Sequence, residues 1–172
     1  MEAVANLSGL ESALRGASGT VTAFLEHLVG EPIDAGGLRQ KTTKAEFPNS
    51  LRVAEGHPLI FRRAALRGRT SGRSYLYAET VLVPSRLPVS CRQRLESSSD
   101  PIGRILEEEG VTISREPLGG PEPGSALVAP EAGIAVGDYL LVRTYRVDAE
   151  GTPLMVITEW FLASLRGFLP SQ

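Results

Sequence analysis

The apolar positions of this chain follow two rhythms. Between Thr20 and Val29, residues Val21, Phe24, Leu25 and Leu28 recur at helical spacing and Gly30 follows as a stop, which predicts an amphipathic helix. From Leu59 to Leu66 and from Tyr75 to Pro84 the pattern turns strand-like. The polar, glycine-punctuated stretch Arg67-Gly-Arg-Thr-Ser-Gly-Arg73 joins these runs, so they read as an antiparallel hairpin. A short polar helix is expected after Pro88. Another opens at Asp100-Pro101, where Asp100 caps, Pro101 occupies the first turn, Ile102, Ile105 and Leu106 form the apolar face, and Gly110 ends it. Val111 to Pro117 reads as a strand and Pro117 to Gly124 as a loop. Gly137 to Val147 alternates, with Tyr139, Leu141, Arg143, Tyr145 and Val147 on one side. Asp148-Ala-Glu-Gly151 then turns the chain into the apolar run Pro153 to Phe161, giving a second hairpin. Glu31 to Asn49, with Pro32, Gly36-Gly37 and the basic residues Arg39, Lys41 and Lys44, reads as irregular or briefly helical, wrapping over a site.

Helical segments interspersed with hairpins point to an α+β fold, a single antiparallel β-sheet with helices or flaps covering one face. A length of 172 residues, 42% of them hydrophobic, provides for one domain over residues 20–172, preceded by an extension at 1–19 that can be helical. The net charge of −2 and pI near 5.8 give no basic field for nucleic acid or anionic lipid. The first residues lack a basic leader, and no apolar run is long enough to span a bilayer, so a soluble, cytoplasmic protein is expected, with no membrane partner. Cys91, His27 and His57 form neither a disulfide framework nor a zinc-like ligand cluster, so no metal is expected. Both histidines read as solvated and Cys91 as a bystander thiol. An oligomeric state does not follow from the pattern.

One residue breaks the apolar logic. Glu159 sits in Pro153-Leu-Met-Val-Ile-Thr-Glu-Trp-Phe161, sharing a strand face with Met155, Ile157 and Phe161. A buried carboxylate must be paired, protonated or placed at a polar pocket. Arg62 or Arg63 in the first hairpin is the natural cation, and strand parity puts Arg62 on the face of Ile60, Ala64 and Leu66. A guanidinium on a rigid strand offers a planar fork for a carboxylate. Pattern alone fits a structural ion pair as well as a site. Glu79, in Tyr75-Leu-Tyr-Ala-Glu-Thr-Val-Leu82, reads as structural, and the 67–73 connection as an exposed hairpin tip.

In ordered blocks the chain resembles the chorismate lyases. These are Leu28-Val-Gly-Glu-Pro-Ile33, the strand with Arg62-Arg63, Gly72-Arg-Ser-Tyr-Leu-Tyr-Ala-Glu79, Pro101-Ile-Gly-Arg-Ile-Leu106, Arg143-Thr-Tyr-Arg-Val147, and Gly151 to Phe161. The resemblance implies an antiparallel sheet holding a small aromatic acid beneath helical flaps, without cofactor or metal. It also implies that chorismate is cleaved to pyruvate and 4-hydroxybenzoate or an isomer. The carboxylate-binding arginine falls on Arg62, with Arg63 as the alternative, and the pocket glutamate on Glu159 as general acid. Ile102 and Gly103 would contact the ring, and Ile33 would close over it. One departure stands out: the best-known branch has a second arginine where this chain has Glu79, which opens the question of substrate or product isomer. Two other readings remain from the sequence: a non-catalytic acid-binding domain like the effector-sensing domains of some repressors, and an enzyme acting on a related cyclohexadiene acid.

Overall fold

The computed structural model describes residues 2–17, 19–46, 49–119 and 138–169. Helices α1 (Glu2–Gly16) and α2 (Val21–Val29) lead into strands β1 (Ile33–Lys44), β2 (Pro58–Gly68) and β3 (Ser74–Leu82). Helices α3 (Val89–Ser97) and α4 (Ile102–Glu108) follow, then β4 (Ile113–Pro117), β5 (Tyr139–Ala149) and β6 (Thr152–Leu162). All neighbours pair antiparallel, in the order β1-β2-β3-β6-β5-β4. The two expected hairpins, β2–β3 and β5–β6, lie side by side at the centre, with β3 bonded to β6.

The helices pack on one face of this sheet. Leu25 of α2 and Leu10 of α1 are fully buried against Leu66, Leu76, Leu141 and Phe161. Cys91 and Leu95 of α3, with Ile105 and Leu106 of α4, cover Leu82, Met155 and Val147. Thr20 caps α2 by accepting the Ala23 N–H at 3.1 Å, and Gly30 closes it in the left-handed region at φ 73°.

Three local expectations change. The segment after Glu31 is a strand, because β1 takes its order from pairing with β2, and its glycines are absorbed by a bulge between Gly36 and Arg39, where Gly37 has φ 60°. Asp100 does not cap α4. The cap is Pro101, and the Asp100 carboxylate instead accepts from Arg94 at 3.0 Å and Ser98 at 3.2 Å. Tyr139 leaves the face of Leu141, since a register shift between them sends it to a cluster with Tyr77, Val142 and Trp160 behind the sheet. Of the stretch expected to be a loop, Pro117 ends β4, and residues 120–124 lie outside the described part.

The tip of the first hairpin is tied down by Glu31. Its carboxylate accepts from the Ser71 hydroxyl at 2.6 Å, the Ser71 and Thr70 N–H groups at 2.9 Å each, and the Tyr75 hydroxyl at 2.8 Å. These bonds, that from the Ser71 hydroxyl foremost, lower the Glu31 pKa to about 2. A depressed carboxylate contributes stability that is complete above its unfolded value, near 4.5, and is lost as pH falls through about 2. An NMR titration should therefore place the Glu31 midpoint near 2, with the Thr70 and Ser71 amide shifts following it. A midpoint near 4.5 would show that the tip is untied.

Candidate active site

Directly opposed residues of antiparallel strands point to the same side, so the register fixes one row beneath the helices. Arg62 faces Thr80, Thr80 faces Ile157, and Ile157 faces Tyr145. The adjacent row runs Ala64, Ala78, Glu159, Arg143. With Val21 and Thr22 of α2 and Pro101, Ile102 and Gly103 at the start of α4 as a roof, these rows, Arg143 excepted, enclose a cavity of about 60 Å³. Its walls are mostly apolar, and small residues at 64 and 78 keep the floor open.

Arg62 is 3% exposed. Its guanidinium donates to Gln40 Oε1 at 3.2 Å and to the carbonyls of Leu95 at 3.4 Å and Asp100 at 3.0 Å. All of these acceptors are neutral. Among the described residues no carboxylate pairs with it, and burial lowers its pKa to about 10 without an offsetting charge. A cation desolvated in this way is costly unless an anion joins it.

Glu159, 1% exposed, has a countercharge, and it is not Arg62. Arg143 Nε donates to Oε2 at 2.6 Å, and the Tyr145 hydroxyl donates to Oε1 at 2.7 Å. The Arg143 guanidinium stacks 5.0 Å from the Tyr145 ring centroid and 5.2 Å from that of Phe161. Burial works most strongly against its charge, but Glu159 and Tyr145 together outweigh that and raise the Arg143 pKa above its ordinary value. Burial first, then the Glu159 charge, pushes the Tyr145 hydroxyl strongly upward, so it stays protonated and donates. In this arrangement both Glu159 oxygens accept.

Of the residues singled out from sequence, the structure brings Arg62, Glu159, Ile102 and Gly103 to one cavity. Three fall elsewhere. Arg63 and Glu79 oppose each other on the far face of the sheet, Nε to Oε1 at 3.3 Å, with the Arg63 guanidinium 4.8 Å from the Phe61 ring centroid. Alternation sends Arg63 there once Arg62 points inward, so it is no fallback carboxylate ligand, and Glu79 does not touch the cavity. Ile33 is fully buried in the core with Leu25 and Leu66 rather than closing over the cavity. Its backbone is clasped instead, its N–H donating to Glu26 Oε1 at 3.0 Å and its carbonyl accepting from Arg104 at 3.4 Å. Arg104 also donates to Glu26 at 2.7 Å, so α2, α4 and β1 are latched together.

Arg143 and Tyr145 were missed as site residues. They appear in the sequence as members of an alternating stripe and of one block of the resemblance, and the available signal was that this stripe shares a hairpin with Glu159.

The family model described as chorismate pyruvate-lyase Rv2949c-like matches residues 16–169. The chorismate pyruvate-lyase of Mycobacterium tuberculosis (strain CDC 1551 / Oshkosh) is 26% identical over 169 residues, covering 87% of this chain and 77% of that protein. That of Mycobacterium leprae (strain TN) is 24% identical over 165 residues, covering 86% and 71% respectively. Among solved structures, the effector domain of PhnF from Mycobacterium smegmatis superposes with a TM-score of 0.57 at 12% identity, over 85% of this chain and 90% of that one. The C-terminal domain of the histidine utilization repressor from Pseudomonas syringae pv. tomato gives 0.54 at 13% identity, over 81% and 96%. Full-length PhnF is longer, and this chain spans 66% of it. At such identities the structural likeness establishes the shared fold alone. The sequence match runs through every strand and through the residues that enclose the cavity, and the chain belongs to the Rv2949c-like chorismate pyruvate-lyase family.

Proposed function

We propose that this protein eliminates pyruvate from chorismate to give 4-hydroxybenzoate, using its own side chains without metal or cofactor. The observation that carries the reading is Arg62, a buried guanidinium that no carboxylate among the described residues pairs with, held by carbonyls beside an apolar cavity that Glu159 also lines. The ring carboxylate of the substrate supplies the missing charge in a two-bond fork. Family membership supports the reaction class, and the cavity chemistry supports an aromatic acid as product.

In the reaction the ether bond between ring and enolpyruvyl oxygen breaks, the ring loses the proton on its hydroxyl-bearing carbon and becomes aromatic, and the enolpyruvate takes up a proton at its methylene carbon to become pyruvate. Protons balance. Because aromatisation supplies the driving force, positioning and electrostatics are the main requirements on the protein. Because Arg143 and Tyr145 donate to its oxygens, we read Glu159 as the acceptor of the ring proton rather than as the expected proton donor. Arg143 balances its charge.

A cavity of about 60 Å³ is smaller than the roughly 150 Å³ that admits a benzene ring. Entry therefore requires α2 and α4 to part, and their re-closure excludes water. Incubating the protein with chorismate tests the proposal. Release of pyruvate together with 4-hydroxybenzoate is expected. Binding without release would place the protein with non-catalytic acid-binding domains, and no binding would point to a different acid.

A further inference from the structure

The cavity is lined by a second arginine that neither the resemblance nor the reading of the sequence singled out. Arg115 projects from β4 on the same sheet face as Arg62, opposite Val147. It also lines a separate outer groove of about 400 Å³, formed with Gly19, Thr20, Gly103, Glu107, Val111 and Ile113. Thr20, Gly103, Ile113 and Arg115 are common to both spaces, so Arg115 stands where the cavity meets the outside. Gly103 and Thr20 pack closely there: a Cβ built on Gly103 would lie 3.3 Å from Thr20 Cγ2.

The partner of Arg115 is, like those of Arg62, neutral. Its guanidinium donates to the Gly19 carbonyl at 3.2 Å, and among the described residues no carboxylate pairs with it. The two arginines sit on β2 and β4, with β3, β6 and β5 between them, which separates their Cα atoms by about 19 Å across the sheet. Arg62 is buried at one side of the sheet, whereas Arg115 is solvent-exposed on the edge strand at the other. The Arg115 charge also acts on the Tyr145 hydroxyl, so its field reaches the Glu159 end of the cavity.

We infer that Arg115 is a specificity-determining residue that holds the second carboxylate of a dicarboxylate ligand at the cavity mouth, while Arg62 holds the ring carboxylate. On the chorismate reading, on which this rests, that second group is the enolpyruvyl carboxylate, and the group that must depart lies next to the outer groove.

A ligand pair isolates the claim. 3-(Carboxymethoxy)benzoate and 3-methoxybenzoate share the ring acid and the ether but differ in the second carboxylate. Calorimetry on the wild-type protein should show the dicarboxylate binding roughly tenfold or more tighter. In Arg115→Gln that gap should close while 3-methoxybenzoate affinity stays within about threefold, and Arg115→Lys should keep part of the gap. A gap that survives in Arg115→Gln overturns the assignment, as does an equal loss for both ligands, which would mark Arg115 as a structural latch on Gly19. Closure of the gap in a protein that releases no pyruvate from chorismate would uphold Arg115 and overturn the lyase reading. A wild-type protein that binds neither acid overturns both.

Discussion

Glu159→Gln should lower kcat for pyruvate release by roughly 10²- to 10⁴-fold, the range for removing a positioned general base, and leave KM nearly unchanged. The split follows from the site. The ring carboxylate is held at Arg62, which the substitution does not touch, whereas the acceptor for the ring proton is gone. Glutamine is close in shape, its amide oxygen can still accept from Arg143, and the Tyr145 hydroxyl can turn to accept from the amide NH₂. The comparison is therefore of chemistry rather than of folding, and circular dichroism should show an intact protein. A rate within about threefold of wild type would leave Glu159 a structural partner of Arg143.

Arg62→Met should separate function from stability in the opposite sense to most core substitutions. Without the guanidinium, a bound carboxylate would be buried unpaired, which costs about 2–5 kcal/mol and weakens binding of 4-hydroxybenzoate by roughly 30-fold or more. The protein without ligand loses a desolvated charge that has no counter-ion among the described residues. Replacing buried ionic groups with apolar side chains of similar volume is often neutral or stabilising. Against this stand the carbonyls of Leu95 and Asp100, which lose a donor at about 1 kcal/mol each. Thermal unfolding should therefore show a midpoint at or slightly above that of wild type, alongside the lost binding. A large drop in the midpoint with binding retained would mean that Arg62 is a structural tie between β2 and the α3–α4 connection, and would remove the basis for the proposed function.

The parts of the fold legible in the sequence were those set by local pattern. Thr20, the apolar spacing after it and Gly30 bound α2 because capping and periodicity act within a few residues. Both hairpins followed from alternation broken by polar turns, and parity within one strand favoured Arg62 as the inward residue but left Arg63 as the alternative until the pairing of β2 with β3 decided between them. Strand β1 was illegible because Pro32, Gly36 and Gly37 argue locally against a strand, and only the pairing with β2 orders it. Ile33 was misplaced for a similar reason: its motif lies beside the flaps, but its side chain drops into the core while its backbone is clasped by Glu26 and Arg104.

The pairing at the centre of the site shows where the boundary lies. Continued unbroken from Ala149 opposite Thr152, the β5–β6 ladder would set Arg143 against Thr158 and put Glu159 on the face of Val142. Instead the register shifts after Asp148 pairs with Pro153, so that Val147 meets Met155 and Arg143 meets Glu159. A bulge of one residue moves a whole strand face, because side chains alternate with a period of two. The chain by itself determined that Glu159 sits among apolar neighbours and that Arg62 shares the face of Ala64 and Leu66. Which cation balances that glutamate, and that Arg62 meets neutral acceptors and no carboxylate among the described residues, was decided by interstrand register and by helices folding over from distant parts of the sequence, interactions that no short window contains.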